Sequence, residues 1–132
     1  MQPLLSLPYL SVFLHPGPAL ETQWLGFATS AEFRAAIKQL LALGQAHRVR
    51  GWLADDRLLG AVRPRDLDWS SQHLLAGLDR AGLQRFALVE SQDVLNRHTI
   101  TRMYEQVVPA VGFEIRRFAA IEQARAWAAG GA

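Results

Sequence analysis

The chain contains no cysteine in 132 residues. That excludes a disulfide scaffold, a thiol nucleophile and a thiolate metal site. Lysine is nearly absent too: Lys38 stands alone, so the basic residues are almost all arginine, and the formal net charge is only +2. So small a charge does not argue for nucleic acid as a partner. No run of about 18 apolar residues occurs, so no membrane-spanning helix is expected. The opening stretch from Met1 to Leu14 is apolar, but it lacks a basic start and a small-residue cleavage site, and Pro3 and Pro8 interrupt it. It therefore does not read as a signal peptide, and a cytoplasmic location is the simplest expectation. His15, His47, His73 and His98 are scattered, with no HExxH spacing. No phosphate-binding glycine loop, dinucleotide fingerprint or nucleophile elbow is present. No metal and no cofactor are expected.

Half of the residues are hydrophobic and a fifth are charged, the balance of a globular protein. A chain of this length buries roughly two-thirds of its unfolded surface, and residues 1–132 read as one domain without linker, repeat or low-complexity segment. Tyr9–Leu14 and Leu20–Phe27 have strand character, and His15-Pro16-Gly17-Pro18 between them is a turn, which predicts an antiparallel hairpin. Thr29-Ser30-Ala31-Glu32 has the form of a capping box. Phe33, Ile37, Leu40 and Leu41 then repeat at helical spacing up to Gly44. Strands are predicted at Val49–Ala54, Phe86–Val89 and Phe113–Phe118, and helices at Asp66–Ala81, Arg97–Val108 and Ile121–Ala129. The order β-β-α-β-α-β-α-β-α predicts an α/β domain with a mixed, mostly parallel sheet, an N-terminal antiparallel hairpin and about four helices. Trp52 and Phe86 are expected in the core.

Several pieces resemble, in order and spacing, the SpoIIAA-like branch of the STAS family. They are Trp24-Leu25-Gly26-Phe27, Glu32-Phe33-Arg34, Gly51-Trp52-Leu53-Ala54-Asp55-Asp56-Arg57, Gly60-Ala61-Val62, Asp66-Leu67-Asp68-Trp69, Gly82 to Val89, and Phe113 to Phe118 running into Ile121-Glu122-Gln123-Ala124 and Trp127. The resemblance spans nearly the whole chain. It implies a compact sheet-and-helix sandwich serving as a regulatory or protein-interaction module. Some relatives carry a phosphorylated serine at the start of the helix after the third strand. Here that position reads Arg63-Pro64-Arg65-Asp66, and Ser70 and Ser71 come a turn later.

The segment from Asp55 to Asp66 is the candidate site. It is read as a loop leaving the carboxyl end of a strand, where ligands bind in open α/β sheets. Asp55, Asp56, Arg57, Arg63, Arg65 and Asp66 lie in it, and Trp69 follows at the start of a helix. Arginine forks and a helix N-terminus suit an anionic ligand or an acidic partner. The alternative is a polar loop whose carboxylates neutralise its own arginines, with Asp66 as the helix cap. Ser91 and Asp93 follow a strand; with His98 they suggest a triad, but helix capping is the commoner role. Two functions are weighed. One is a non-enzymatic interaction module, partnered by another protein, with homodimerisation left open. The other is a carrier of apolar, lipid-like molecules, as in a lipid-carrying fold grouped with relatives. A closed apolar cavity under residues 67 to 78 favours the carrier, and an open polar crevice favours the interaction module.

Overall fold

A computed structural model describes residues 1–131. Six strands lie side by side in chain order. They are β1 (Gln2–Leu7), β2 (Leu10–His15), β3 (Ala19–Gly26), β4 (Gly51–Leu59), β5 (Arg85–Val89) and β6 (Glu114–Arg117). β1 to β3 form an antiparallel meander, and β3 to β6 are parallel. The predicted hairpin is thus present, and one further strand lies outside it. Pro3 is tolerated there because an outermost strand leaves one row of N–H groups without ladder partners.

Helix α1 (Ser30–Ala46) opens on the predicted capping box: Glu32 N–H donates to Thr29 Oγ1, and Thr29 N–H donates to the Glu32 carboxylate. Helices α2 (Pro64–Ser70) and α3 (Ala76–Arg80) are one continuous run joined by a π-helical turn, Ser71–Leu75. α4 (Val94–Val107) and α5 (Ile121–Ala128) complete the chain.

The helices divide between two faces. α1, α2, α3 and α4 cover one, where Leu20, Trp52, Phe86 and Leu88 of the sheet meet Ile37, Leu40, Leu78 and Ile100. α5 covers the other over β4 and β5, packing Ala124, Trp127 and Ala128 on Leu53, Ala87 and Val89. Trp52 and Phe86 are buried as expected. β5 is apolar on both faces because both are covered.

β4 is longer than predicted. It runs through Asp55, Asp56 and Arg57 to Leu59, with a bulge opposite Trp24 between Asp55 and Leu58. These three residues stand in a strand and not in a loop. The last helix and the helix after β5 agree with expectation to within a few residues.

Candidate functional site

Strand alternation sends Asp55 and Asp56 to opposite faces. Asp55 faces the α5 side. Its carboxylate accepts from Arg57 Nε and Nη2, each at 2.9 Å, and from the Arg57 backbone N–H at 3.2 Å. These bonds raise the guanidinium still further above its ordinary value. Asp56 points the other way, into the main core, and is 5 % exposed. Burial first, and the neighbouring Asp55 charge second, push its pKa up to about 7.

The remaining predicted residues do not gather around Arg57. Arg63 and Arg65 are exposed at the start of α2. Asp66 is not the cap: Arg63 occupies that position, with no side-chain cap bond. Asp66 is buried and bridges helices, accepting from Ser30 Oγ at 2.6 Å and Arg34 Nε at 2.9 Å. The Ser30 hydroxyl, and then Arg34 against the cost of burial, hold its carboxyl below the usual range. Trp69 is half-buried and not free: its ring stacks on His73 at 4.1 Å, with the Arg34 guanidinium 4.9 Å from its centroid. Asp66 and Trp69 therefore fasten α2 to α1. Arg63 borders a separate groove between the chain after β3 and the chain after β4.

The crevice at the carboxyl ends of the parallel strands lies elsewhere. β4, β5, β6 and the start of α4 enclose an open space of about 650 Å³. Arg57, Arg97 and Arg117 line it, against a single lining carboxylate, Glu90. Arg117 Nε is 4.0 Å from Glu90, and Thr101 Oγ1 donates to the other Glu90 oxygen at 3.4 Å. Arg97 has no ion-pair partner among the described residues. Asp93 caps α4 by accepting from Asn96 N–H, and Ser91 Oγ accepts from the N–H of that cap residue. Ser91 and His98 both line the crevice, but no hydrogen bond joins them among the described residues. Asn96 Nδ2 donates to the carbonyls of Leu59 and Gly60, which fixes the start of α4 against the end of β4. The segment singled out in the sequence lies at the same end of the sheet as this crevice and shares Arg57 with its lining. Arg97 and Arg117, which also line it, were not named from the sequence, because they are far apart in it and meet only through the parallel topology.

Beneath the helix run sits a second, much smaller space of about 50 Å³, between β4 and α2. Asp56 and Tyr104 border it, along with Leu67 and Leu74. This space lies under residues 67 to 78, but Asp56, Thr22, Ser70 and Tyr104 make its wall partly polar, and it is about a third of the ~150 Å³ that holds a benzene ring. An acyl chain does not fit the space as it stands.

Among the described residues no cluster of His, Asp and Glu is arranged to hold a metal, and no helix is long and apolar enough to cross a membrane. No family model matches the chain, and neither does any curated protein or solved structure.

Proposed function

We propose that the protein is a non-enzymatic interaction module that seats an anionic group of a partner protein, a carboxylate or phosphate, in the crevice at the ends of β4, β5 and β6. The observation that carries this reading is the charge of the crevice: three arginines from three elements face one carboxylate. Arginine presents planar forks suited to such anions. Arg57 is held in place by Asp55, so little of its freedom is left to lose on binding.

A protein partner is favoured over a free ion by exposed apolar side chains at, or next in sequence to, residues that line the crevice. Val94 and Leu95, at the start of α4, are 66 % and 80 % exposed, and Leu58, at the end of β4, is 60 % exposed. Large apolar side chains grouped beside a charged cleft suit a protein interface. The SpoIIAA-like resemblance of the sequence adds the expectation of a regulatory role.

The test compares Arg97→Ala/Arg117→Ala with Arg63→Ala/Arg65→Ala, as baits in pull-downs and in titrations with inorganic phosphate. Loss of both signals in the first pair alone supports the crevice. Loss in the second pair alone moves recognition to the start of α2 and overturns the assignment. Retention in both overturns an arginine-based site altogether.

A further inference from the structure

The crevice leaves Asp56 unexplained. This carboxyl is 5 % exposed, and no side-chain hydrogen bond reaches it from any described residue. It borders the 50 Å³ cavity together with three other oxygen-bearing side chains, each from a different element: Thr22 of β3, Ser70 of α2 and Tyr104 of α4. The hydroxyl protons of Thr22 and Ser70 are already committed. Thr22 Oγ1 donates to the Leu53 carbonyl at 3.4 Å and Ser70 Oγ to the Leu67 carbonyl at 2.8 Å. What these two residues turn to the cavity is acceptor capacity. A carboxyl and two committed hydroxyls make a site rich in acceptors, with the Tyr104 O–H, which has no hydrogen-bond partner among the described residues, as the one uncommitted hydroxyl donor.

The rest of the wall is aromatic and aliphatic, including Trp24, Trp52 and Phe86. Ring faces are attractive to cations. An anion would meet a carboxyl and ring faces, and an apolar molecule would leave the carboxyl without a partner. The size excludes anything beyond a few heavy atoms. The wall also has a seam: the π-helical turn Ser71–Leu75, in which Ala76 N–H donates to the Ser71 carbonyl, supplies Leu74 and Leu75 to the lining. Such turns occur frequently at functional sites.

We infer that the cavity between β4 and α2 is a binding site for a small primary ammonium ion, held by the Asp56 carboxylate with Thr22, Ser70 and Tyr104 oxygens as further acceptors. The site is separate from the crevice and does not rest on the function proposed for it. Binding requires an ionised carboxyl, so where Asp56 is protonated the ammonium ion enters as its proton leaves to solvent. Among the described residues, Tyr104 is the only other ionisable side chain facing the cavity. α1, α2, β3 and β5 contribute none to its wall, and Asp55 points to the opposite face of the sheet.

The experiment follows the Asp56 carboxyl by carbon NMR in the intact protein, titrated with pH in methylammonium chloride and in sodium chloride of equal concentration. Saturating methylammonium should lower the Asp56 midpoint by about one pH unit or more, equivalent to a tenfold preference for the ionised form. The indole signals of Trp24 and Trp52 should shift saturably at pH 8. Tetramethylammonium, which is too bulky and has no N–H, should do neither. Asp56→Asn should abolish the indole shifts, and Ser70→Ala should weaken binding several-fold. An Asp56 midpoint that is the same in methylammonium and sodium overturns the inference and leaves a cavity for water only. Equal responses to methylammonium and tetramethylammonium overturn it as well. The wild-type titration decides the matter even if Asp56→Asn does not fold.

Discussion

At the scale of single residues, two buried carboxyls on opposite faces of the sheet have opposite electrostatic fates. Glu21 of β3 is fully buried, and burial alone would raise its pKa. Arg125 donates to both of its oxygens at 2.8 and 3.0 Å, Gln23 donates at 2.6 Å, and His15 lies at 2.8 Å. These partners outweigh burial and hold the pKa below its ordinary value. Glu21 therefore contributes stability that is present above pH 4.5 and is lost as pH falls through its lowered folded value. Glu21→Gln should cost about 2–3 kcal/mol at neutral pH, less than the 3–5 typical of a fully buried pair, because the Arg125 side chain keeps 34 % exposure. Denaturant melts at pH 7 check the value. Asp56 has the opposite sign. Its pKa rises from 3.8 to about 7 on folding, so the folded state binds the extra proton between those values. Its destabilising effect grows as pH rises from about 4 to about 7 and is level above that, reaching roughly 4 kcal/mol at most. Asp56→Asn should flatten this slope, with the variant gaining on the wild type as pH rises. Melts from pH 4 to 8 in sodium buffers read the difference directly.

At the scale of elements, the tightest constraint is the approach of α5 to β4. A Cβ added at Gly51 would overlap the Ala128 carbonyl oxygen. The two backbones meet because glycine stands at the start of the strand, so α5 can settle onto Leu53 and Ala87. Gly51→Ala should destabilise by about 1–3 kcal/mol and loosen α5, with Trp127 on that helix becoming more exposed. A denaturation midpoint and Trp127 signal equal to wild type would show that α5 shifts without cost. The helices were legible because their apolar spacing and the Thr29 box are local signals. The parallel strands β4 and β5 were legible from their apolar runs. β1 was not, since Pro3 and Pro8 break strand propensity and only pairing along an outer edge makes them harmless. The far half of β4 was not either: consecutive aspartates read as loop by propensity. The structure accommodates them by pairing Asp55 with Arg57 and burying Asp56. The crevice was legible only as a position, the carboxyl end of a parallel strand. Its other two arginines come from α4 and β6, and no local pattern joins them to Arg57.

At the scale of the whole molecule, the arginines divide into those the fold uses and those it leaves over, and that division makes the proposed function testable without knowing the partner. Arg125 ties α5 to the buried Glu21, Arg34 ties α1 to the buried Asp66, and Arg57 is locked by Asp55. Arg97 has no ion-pair partner among the described residues, and Arg117 reaches Glu90 only at 4.0 Å with half its side chain exposed. A loose, half-exposed pair of this kind contributes little to stability. Arg97→Ala/Arg117→Ala should therefore leave the unfolding free energy within about 0.5 kcal/mol of wild type, while Arg125→Ala or Arg34→Ala lowers it several times more by stranding a buried carboxylate. Anion binding should follow the reverse order. The double variant should lose affinity for inorganic phosphate, and wild-type affinity should fall as sodium chloride is raised, because the crevice is open to solvent and its charges are screened. Arg34→Ala, on α1, which contributes nothing to the lining of the crevice, should bind phosphate as the wild type does once it is folded. If the double variant instead unfolds, Arg97 and Arg117 belong to the scaffold. If it folds and binds phosphate unchanged, the excess charge of the crevice serves something other than anion recognition.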